Sequence, residues 1–200
     1  MITILKPGYS RIMHLFYKNR TIKIHLREIA RQTSLHGPSA TRFLNDLEEE
    51  HLLKSETEGN LKVYSINQLA KTYLVFELFD LERFEKLPSI RANAIKRYLD
   101  NLPEKPVFAI LFGSTAKGTH KEDSDIDILI ITNNKISAGK AEKEANAITS
   151  IKISTFQMTY NDFLIELKMK QDNVVQSAIQ SGYPLINHIQ YYTVLYNERI

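Results

Sequence analysis

The 200-residue sequence contains no cysteine and has no apolar run long enough to span a membrane. Without cysteine there is no disulfide framework and no thiolate zinc site, which fits a reducing cytoplasm. A membrane span needs about 20 apolar residues, and Lys6 and Pro7 break the first apolar stretch early. A hydrophobic content of 43% is enough for one large or two small globular cores. We therefore expect a soluble cytoplasmic protein with no membrane partner.

The net charge is only +3, but it is unevenly distributed. Residues 1–72 contain 11 Lys or Arg and 7 Asp or Glu, whereas the remaining residues contain 15 and 16. A basic surplus in the first third of a chain favours a polyanionic partner, although many neutral domains carry a similar imbalance by chance.

The first third of the chain begins with two helical patterns around a short alternating stretch. Apolar residues at helical spacing predict helices over residues 9–17 and 26–35, and alternation predicts a strand at 21–25. The turn at residues 36–39 precedes a third helix, for which Ser39 is the expected N-cap. A helix, a strand and two further helices are therefore expected in that order.

The third helix is expected to run from Ser39 to Leu53 and to be followed by a hairpin. Two short strands are predicted around the turn at residues 58–60. With this order of elements, residues 9–67 resemble the winged helix-turn-helix domains of MarR- and ArsR-like regulators. The resemblance implies that the third helix is the recognition helix of a homodimer that reads paired half-sites in double-stranded DNA.

Two sets of side chains follow from this resemblance as the expected DNA contacts. The expected contacts are Ser39, Thr41, Arg42 and Asn45 in the recognition helix, and Lys54 and Lys62 in the wing. The wing also carries Glu56 and Glu58, which phosphate would repel. A winged helix used for protein contacts or dimerisation therefore remains open.

The middle of the chain is a strongly apolar helical pattern that Pro88 interrupts. We interpret residues 69–88 as a helical connector between an N-terminal domain, residues 1–68, and a C-terminal domain, residues 89–200. An ordinary internal helix is the alternative interpretation of the same pattern.

The most informative stretch joins two apolar runs through a polar loop. Residues 107–112 form a near-continuous apolar run, typical of a strand that is covered on both faces, and they lead into Gly113-Ser114. Ten residues later, Asp125 and Asp127 begin a second predicted strand, and the alternation of side chains turns both carboxylates to one face. Electrostatic repulsion makes it unfavourable for two such carboxylates to be ionised together unless a cation lies between them. Because Mg²⁺ prefers oxygen ligands and nucleotide phosphates, the pair predicts a magnesium site.

The glycine and serine supply the second half of this expected site. Gly113 would let the backbone approach a triphosphate closely, and Ser114 would offer its N–H and hydroxyl. In the loop, Lys117 and Lys121 have the charge to neutralise phosphate, although surface solvation explains them equally well.

This combination resembles the DNA polymerase beta-like nucleotidyltransferase superfamily, in particular its minimal domains. The resemblance covers residues 89–200 and includes Gly118 and the run from Ser124 to Leu129. It implies a mixed sheet with flanking helices, so the whole chain is expected to be an α/β (α+β) protein. It also implies roles for individual residues: Asp125 and Asp127 as catalytic metal ligands, and Gly113, Ser114, Lys117 and Ser124 as nucleotide-binding residues.

Transferases of the superfamily that this sequence resembles place a third carboxylate on a later strand, where it supports the metal and acts as general base. The corresponding stretch here, residues 151–159, has no acidic side chain on either face. Asp162 and Glu166 fall in the following helical pattern, where Asp162 is expected to act as an N-terminal helix charge. Catalytic turnover is therefore an open question for this sequence.

Two functions remain open. One is Mg²⁺-dependent transfer of a nucleoside monophosphate from a nucleoside triphosphate to a hydroxyl of a partner protein or small molecule, coupled to DNA binding. The other is a DNA-binding transcriptional regulator whose degenerate nucleotidyltransferase domain only binds nucleotide or a partner. The position of Asp162 and Glu166 in the fold discriminates between the two.

Overall fold

The computed structural model describes residues 6–197, apart from the side chain of residue 148. The chain divides into two compact units, Met1–Phe79 and Asp80–Ile200, and the boundary falls within a helix that spans Ala70–Glu85. Both units combine helices with a small sheet, which confirms the expected α/β (α+β) class. None of the helices within residues 6–197 has the length and hydropathy that crossing a bilayer requires.

The N-terminal unit has the element order of a winged helix-turn-helix. Its elements are α1 (Pro7–Lys18), β1 (Ile24–His25), α2 (Leu26–Thr33), α3 (Gly37–Glu49), β2 (Leu53–Glu58) and β3 (Leu61–Ile66), followed by the first part of α4 (Ala70–Glu85). The three strands form an antiparallel sheet in the order β1-β3-β2. The winged-helix fold expected from the sequence is thus confirmed.

The core of this unit is built from one apolar face of each of the first three helices. Ile12 and Phe16 from α1, Ile29 from α2 and Leu44 from α3 are completely buried, and burying each side chain stabilises the unit by about 1.5–3 kcal/mol. The wing turns tightly between β2 and β3, where Gly59 adopts a φ of +61° that few other residues tolerate.

The predicted boundaries of the recognition helix are wrong at both ends. The helix begins at Gly37 after the N-cap His36, because Pro38 fits the first turn, where no intrahelical N–H is needed. Ser39 therefore lies inside the helix and does not cap it. The helix ends at Glu49, and Leu53 already belongs to β2.

The C-terminal unit contains one sheet with helices on both faces. Its elements are α5 (Ser89–Asp100), β4 (Phe108–Phe112), α6 (Gly113–Lys117), β5 (Ile126–Thr132), α7 (Gly139–Thr149), β6 (Ile153–Thr159), α8 (Tyr160–Met169), α9 (Asn173–Ser181), β7 (Tyr183–Ile186) and α10 (His188–Asn197). The strand order is β6-β5-β4-β7, and the sheet is mixed because only β5 and β6 are parallel.

Each face of this sheet is covered by different helices. On one face, Ala94 of α5 and Ala145 of α7 pack in one buried cluster with Ile128 of β5. On the other, the Phe108 ring lies 5.3 Å from the ring of Phe163 and 5.6 Å from that of Tyr191, measured between centroids. The sheet is therefore apolar on both sides, as the continuous hydrophobic run of β4 predicts.

Strand register brings the two halves of the Gly-Ser and Asp-x-Asp motif to one edge of the sheet. Phe112, the last residue of β4, pairs with Asp127 in β5, and Asp127 pairs with Ser154 in β6. The end of β4 therefore meets the beginnings of β5 and β6. The sequence predicts Asp125 within this strand, but it lies one residue before β5.

The helix α7 and the strand β7 have no counterpart in the sequence-based prediction. The buried side of α7 consists largely of alanines such as Ala141 and Ala145, which give a weak hydrophobic pattern. Pro184 suggests a chain break, but β7 pairs with β4 alone at the edge of the sheet, where proline is tolerated.

Candidate functional site

Gly113 and Asp127 are in close contact at the centre of the candidate site. The pairing of β4 with β5 sets Asp127 opposite Phe112, immediately before the glycine. Gly113 adopts a φ of +69°, and a Cβ atom at this position would collide with the Asp127 carboxylate. Both the backbone conformation and the space therefore require glycine here.

The Asp127 carboxylate is half-buried and lies near the charge of Asp125. Burial raises its pKa above the ordinary value, and the neighbouring Asp125 charge raises it further. No residue in the described part of the chain donates a hydrogen bond to it. This carboxylate is thus an acceptor that lies against the Gly113 turn and is available to a ligand.

Asp125 is compensated by the protein itself. The Lys152 Nζ lies 2.8 Å from its Oδ2 atom, and the Ser154 hydroxyl donates to the same oxygen at 3.0 Å. The Lys152 hydrogen bond lowers the pKa of Asp125. The sequence alone predicts no role for Lys152, although its spacing of two residues from Ser154 places both on one face of an extended segment.

In the described part of the chain, no third carboxylate joins the aspartate pair. Asp162 is exposed, and its carboxylate accepts a 2.6 Å hydrogen bond from Thr159, the N-cap residue of α8. Glu166 is buried and accepts from the backbone N–H of Asp172 at 2.8 Å. Across residues 6–197, no group of three or more His, Cys, Asp or Glu side chains is arranged to hold a metal ion.

A buried arginine fixes the loop that joins the two halves of the motif. Arg91 of α5 donates to the Thr115 hydroxyl at 3.0 Å and to the carbonyl oxygens of Lys121, Glu122 and Ser124 at 2.8, 3.3 and 2.9 Å. The guanidinium is almost completely buried, and this burial lowers its pKa. The sequence offers no signal for this role, because Arg91 lies more than 20 residues before its partners.

The remaining residues expected to bind nucleotide lie on the same turn and loop. Ser114 is half-buried in the first turn of α6, and Lys117 is exposed in the last turn. The Ser124 hydroxyl accepts the backbone N–H of Lys121 at 2.9 Å. Ser124 thus supports the loop in the described conformation.

The expected DNA-binding residues of α3 divide into exposed and half-buried positions. Thr41, Arg42 and Asn45 are exposed at helical spacing on one side of the helix, whereas Ser39 is half-buried. The Arg42 guanidinium lies 5.0 Å from the centroid of the Phe43 ring. This exposed side is the part of α3 that could contact a groove.

In the wing, charge compensation reduces the number of available cations. Lys62 donates to Glu48 at 2.6 Å, while Lys54 is exposed. Residues 36–72, which include α3 and the wing, carry four Lys or Arg and six Asp or Glu, whereas residues 1–35 carry seven and one. The basic surplus of the N-terminal unit therefore precedes the recognition helix.

Residues 93–190 match the family model described as polymerase beta, nucleotidyltransferase. These residues form a nucleotidyltransferase domain of the polymerase beta type. The domain contains the Gly113 turn, the aspartate pair and Lys152, while Arg91 lies just before the matched range. The match agrees with the mixed sheet and with the family resemblance of the sequence motif.

Solved structures add a likeness for part of the chain. The crystal structure of ZitR from Lactococcus lactis, a zinc-responsive MarR family member, matches with 17% sequence identity and a TM-score of 0.31, covering 50% of this chain and 74% of that chain. At this score the likeness carries no argument, so the winged-helix assignment depends on element order and strand pairing. No curated protein matches the sequence.

Nucleotidyltransferase domains of this type generally use a divalent metal. The side chains at this site supply some of the ligands that such an ion needs. Asp125 and Asp127 offer the carboxylate oxygens that hard cations prefer, and Asp127 has no donor among the described residues. These two residues would hold the cation, which would neutralise phosphate charge when bound. Lys152 already occupies one oxygen of Asp125.

The contact between Gly113 and Asp127 predicts unequal effects of two glycine substitutions. Gly113 and Gly118 have nearly the same φ, +69° and +70°, but only Gly113 lies against another side chain. Gly118→Ala should cost about 1 kcal/mol through backbone strain. Gly113→Ala should cost about 2–4 kcal/mol because overpacking is added. The measurement is chemical denaturation followed by circular dichroism.

Adding Asp127→Ala gives a control for this interpretation. The double variant Gly113→Ala/Asp127→Ala should recover most of the excess cost, because the colliding carboxylate is gone. Equal costs for the two single glycine variants would contradict the proposed packing constraint.

The Arg91 hydrogen bonds predict that its truncation loosens the loop. Arg91→Met should lower the free energy of unfolding by about 2–4 kcal/mol, because buried carbonyl oxygens lose their donor. It should also raise hydrogen exchange in residues 113–124. Arg97→Met, an exposed change in the same helix, should cost less than about 1 kcal/mol. Equal protection of residues 113–124 in the two variants would contradict the role of Arg91.

Proposed function

We propose that this protein is a nucleotide-responsive regulator that combines a DNA-binding winged helix with a nucleotidyltransferase-type domain that binds a nucleoside triphosphate. The observation that carries the proposal is the composition of the site edge. Next to Asp125 and Asp127, Lys152 immediately before β6 and Ser154 within it face the pair, and β6 contributes no carboxylate.

The proposed nucleotide site combines the turn at Gly113 with the aspartate pair at the start of β5. Gly113 allows the phosphates to approach the backbone, and Ser114 offers a hydroxyl and an N–H. Asp125 and Asp127 would bind the phosphates through Mg²⁺, the divalent ion most often associated with nucleotides. Lys117, exposed on the same short helix, adds positive charge beside the phosphates.

We propose binding without turnover because no third acidic side chain joins the aspartate pair within residues 6–197. Transfer to a hydroxyl requires a group that accepts the hydroxyl proton within hydrogen-bond reach. Asp162 and Glu166, the later acids considered for this role, are engaged by Thr159 and by the turn between α8 and α9. The domain is therefore proposed to sense the nucleotide.

A second candidate function is transfer of a nucleoside monophosphate to a hydroxyl of a partner protein or small molecule. One observation favours it: the Asp127 carboxylate, with its raised pKa and no hydrogen-bond donor among the described residues, lies against the Gly113 turn. In this case the base must come from the acceptor.

The proposed DNA contacts are those on the exposed side of α3 together with the wing. Arg42 and Lys54 are exposed on this surface, and Lys62 is exposed but paired with Glu48. A homodimer is proposed because winged-helix proteins commonly read two half-sites. The small number of cations implies a weak dependence of DNA affinity on salt.

The nucleotide proposal predicts that Mg²⁺ strengthens nucleotide binding and that the strengthened binding requires the aspartate pair. Calorimetry with ATP, GTP, CTP and UTP should detect binding of at least one nucleotide in Mg²⁺. The double variant Asp125→Asn/Asp127→Asn should abolish this binding, because neutral amides hold the cation poorly. The fold, followed by circular dichroism, should be retained.

A labelling experiment separates the two candidate functions. Protein incubated with α-labelled nucleoside triphosphate and a cellular extract should bind nucleotide without transferring label. Transferred label that disappears in the double aspartate variant would establish the transferase instead. No nucleotide binding in any condition would overturn both candidates.

The DNA proposal predicts a local effect of one arginine. Arg42→Ala should reduce affinity for a mixed-sequence duplex and reduce the slope of log affinity against log salt by about 0.9 if it contacts one phosphate. Lys105→Ala, an exposed change in the C-terminal unit, is the charge-matched control. Fluorescence anisotropy over a salt series measures both variants, and identical curves for the two would argue against α3 as the DNA-binding helix.

A further inference from the structure

We propose that Lys152 is the countercation of the nucleotide site. Its ammonium group neutralises Asp125 in the absence of ligand and forms an ion pair with the phosphates instead when a divalent cation binds. The inference rests on the proposed function, since it assigns a role to one residue of that site. It concerns binding and does not require catalysis.

The position of Lys152 in the sheet supports this role. The first residue of β6, Ile153, pairs with Ile126 of β5, so Lys152 lies beside Asp125 at the edge where the motif assembles. The backbone also links them, because the Ile126 N–H donates to the Lys152 carbonyl at 2.9 Å. The ammonium group is therefore held near the aspartates by the register of the sheet.

The side chain of Lys152 has the freedom that an exchange of partners requires. It is 69% exposed, whereas that of Asp125 is 39% exposed. An exposed ion pair of this kind contributes little to stability, so breaking it leaves the fold intact. The flexible stem of lysine also lets the ammonium group turn to a new partner nearby.

The surrounding charges keep the ammonium group in the site. Asp125 raises the pKa of Lys152 most strongly, and Glu142 and Asp127 raise it further. Arg91 cannot replace it, because its guanidinium donates to Thr115 and to backbone carbonyls of the loop. Lys152 is therefore the cation that competes with a metal ion for Asp125.

Two effects of opposite sign follow from this arrangement. Removing the Lys152 charge should strengthen the binding of a divalent cation alone, because Asp125 no longer has a competing partner. The same change should weaken the binding of a metal-free triphosphate, because the phosphates lose a cation. A residue with a merely structural role would not move the two affinities in opposite directions.

The experiment uses the full chain and a graded series, Lys152→Gln and Lys152→Glu. Mn²⁺ alone is titrated by electron paramagnetic resonance, and ATP in excess EDTA is titrated by calorimetry. For each unit of charge removed, we expect about fivefold tighter Mn²⁺ binding and about fivefold weaker ATP binding. A fivefold change in affinity corresponds to the free energy that an exposed ion pair contributes. Circular dichroism should remain unchanged, because Lys152 is exposed.

The matched controls are Lys105→Gln and Lys105→Glu. Lys105 is exposed and precedes β4, at the end of that strand opposite the site. These variants change the net charge equally but should leave both affinities within about twofold of the wild-type value, since exposed charges farther apart than about 10 Å are screened.

The outcomes distinguish the inference from the function on which it rests. Unchanged Mn²⁺ binding in Asp125→Asn/Asp127→Asn would overturn the proposed site and the inference with it. Loss of Mn²⁺ binding in that variant, combined with a flat Lys152 series or with both affinities moving in one direction, would overturn the inference alone. Opposite shifts that the Lys105 variants do not reproduce would support it.

Discussion

The contact between the Asp127 carboxylate and the backbone of Gly113 is the constraint on which the candidate site depends. It requires three features at once: the register of β4 with β5, a positive φ at the end of β4, and no side chain at position 113. Each feature is ordinary alone. Together they keep a half-buried carboxylate beside the Gly113 turn, an arrangement suited to a charged ligand.

The parts of this site that local patterns encode could be predicted from the sequence. The apolar run before Gly113 and the alternation around Asp127 predict two adjacent strands, and the structure contains both. The sequence predicts the end of the recognition helix too late, because Leu52 and Leu53 continue its apolar pattern although they lead into the wing. Local periodicity does not distinguish a helix end from a strand start when both are buried.

The parts that depend on tertiary contacts could not be predicted. Arg91 forms its hydrogen bonds with a loop 24–33 residues away, and no spacing rule connects them. Lys152 is an intermediate case, since alternation gave its face but only strand pairing brings it to Asp125. The absence of an acid from β6, by contrast, is visible in the sequence, because it requires no knowledge of packing.

The Arg91 contacts also bear on how this domain could diversify. The arginine holds the loop through the main-chain oxygens of Lys121, Glu122 and Ser124, while the side chains of residues 121–123 point to solvent. The path of the loop therefore does not depend on which side chains residues 121–123 carry. Substitutions there could alter ligand preference without rebuilding the scaffold, which makes this short segment a natural target for evolution in the cell and for library design in the laboratory.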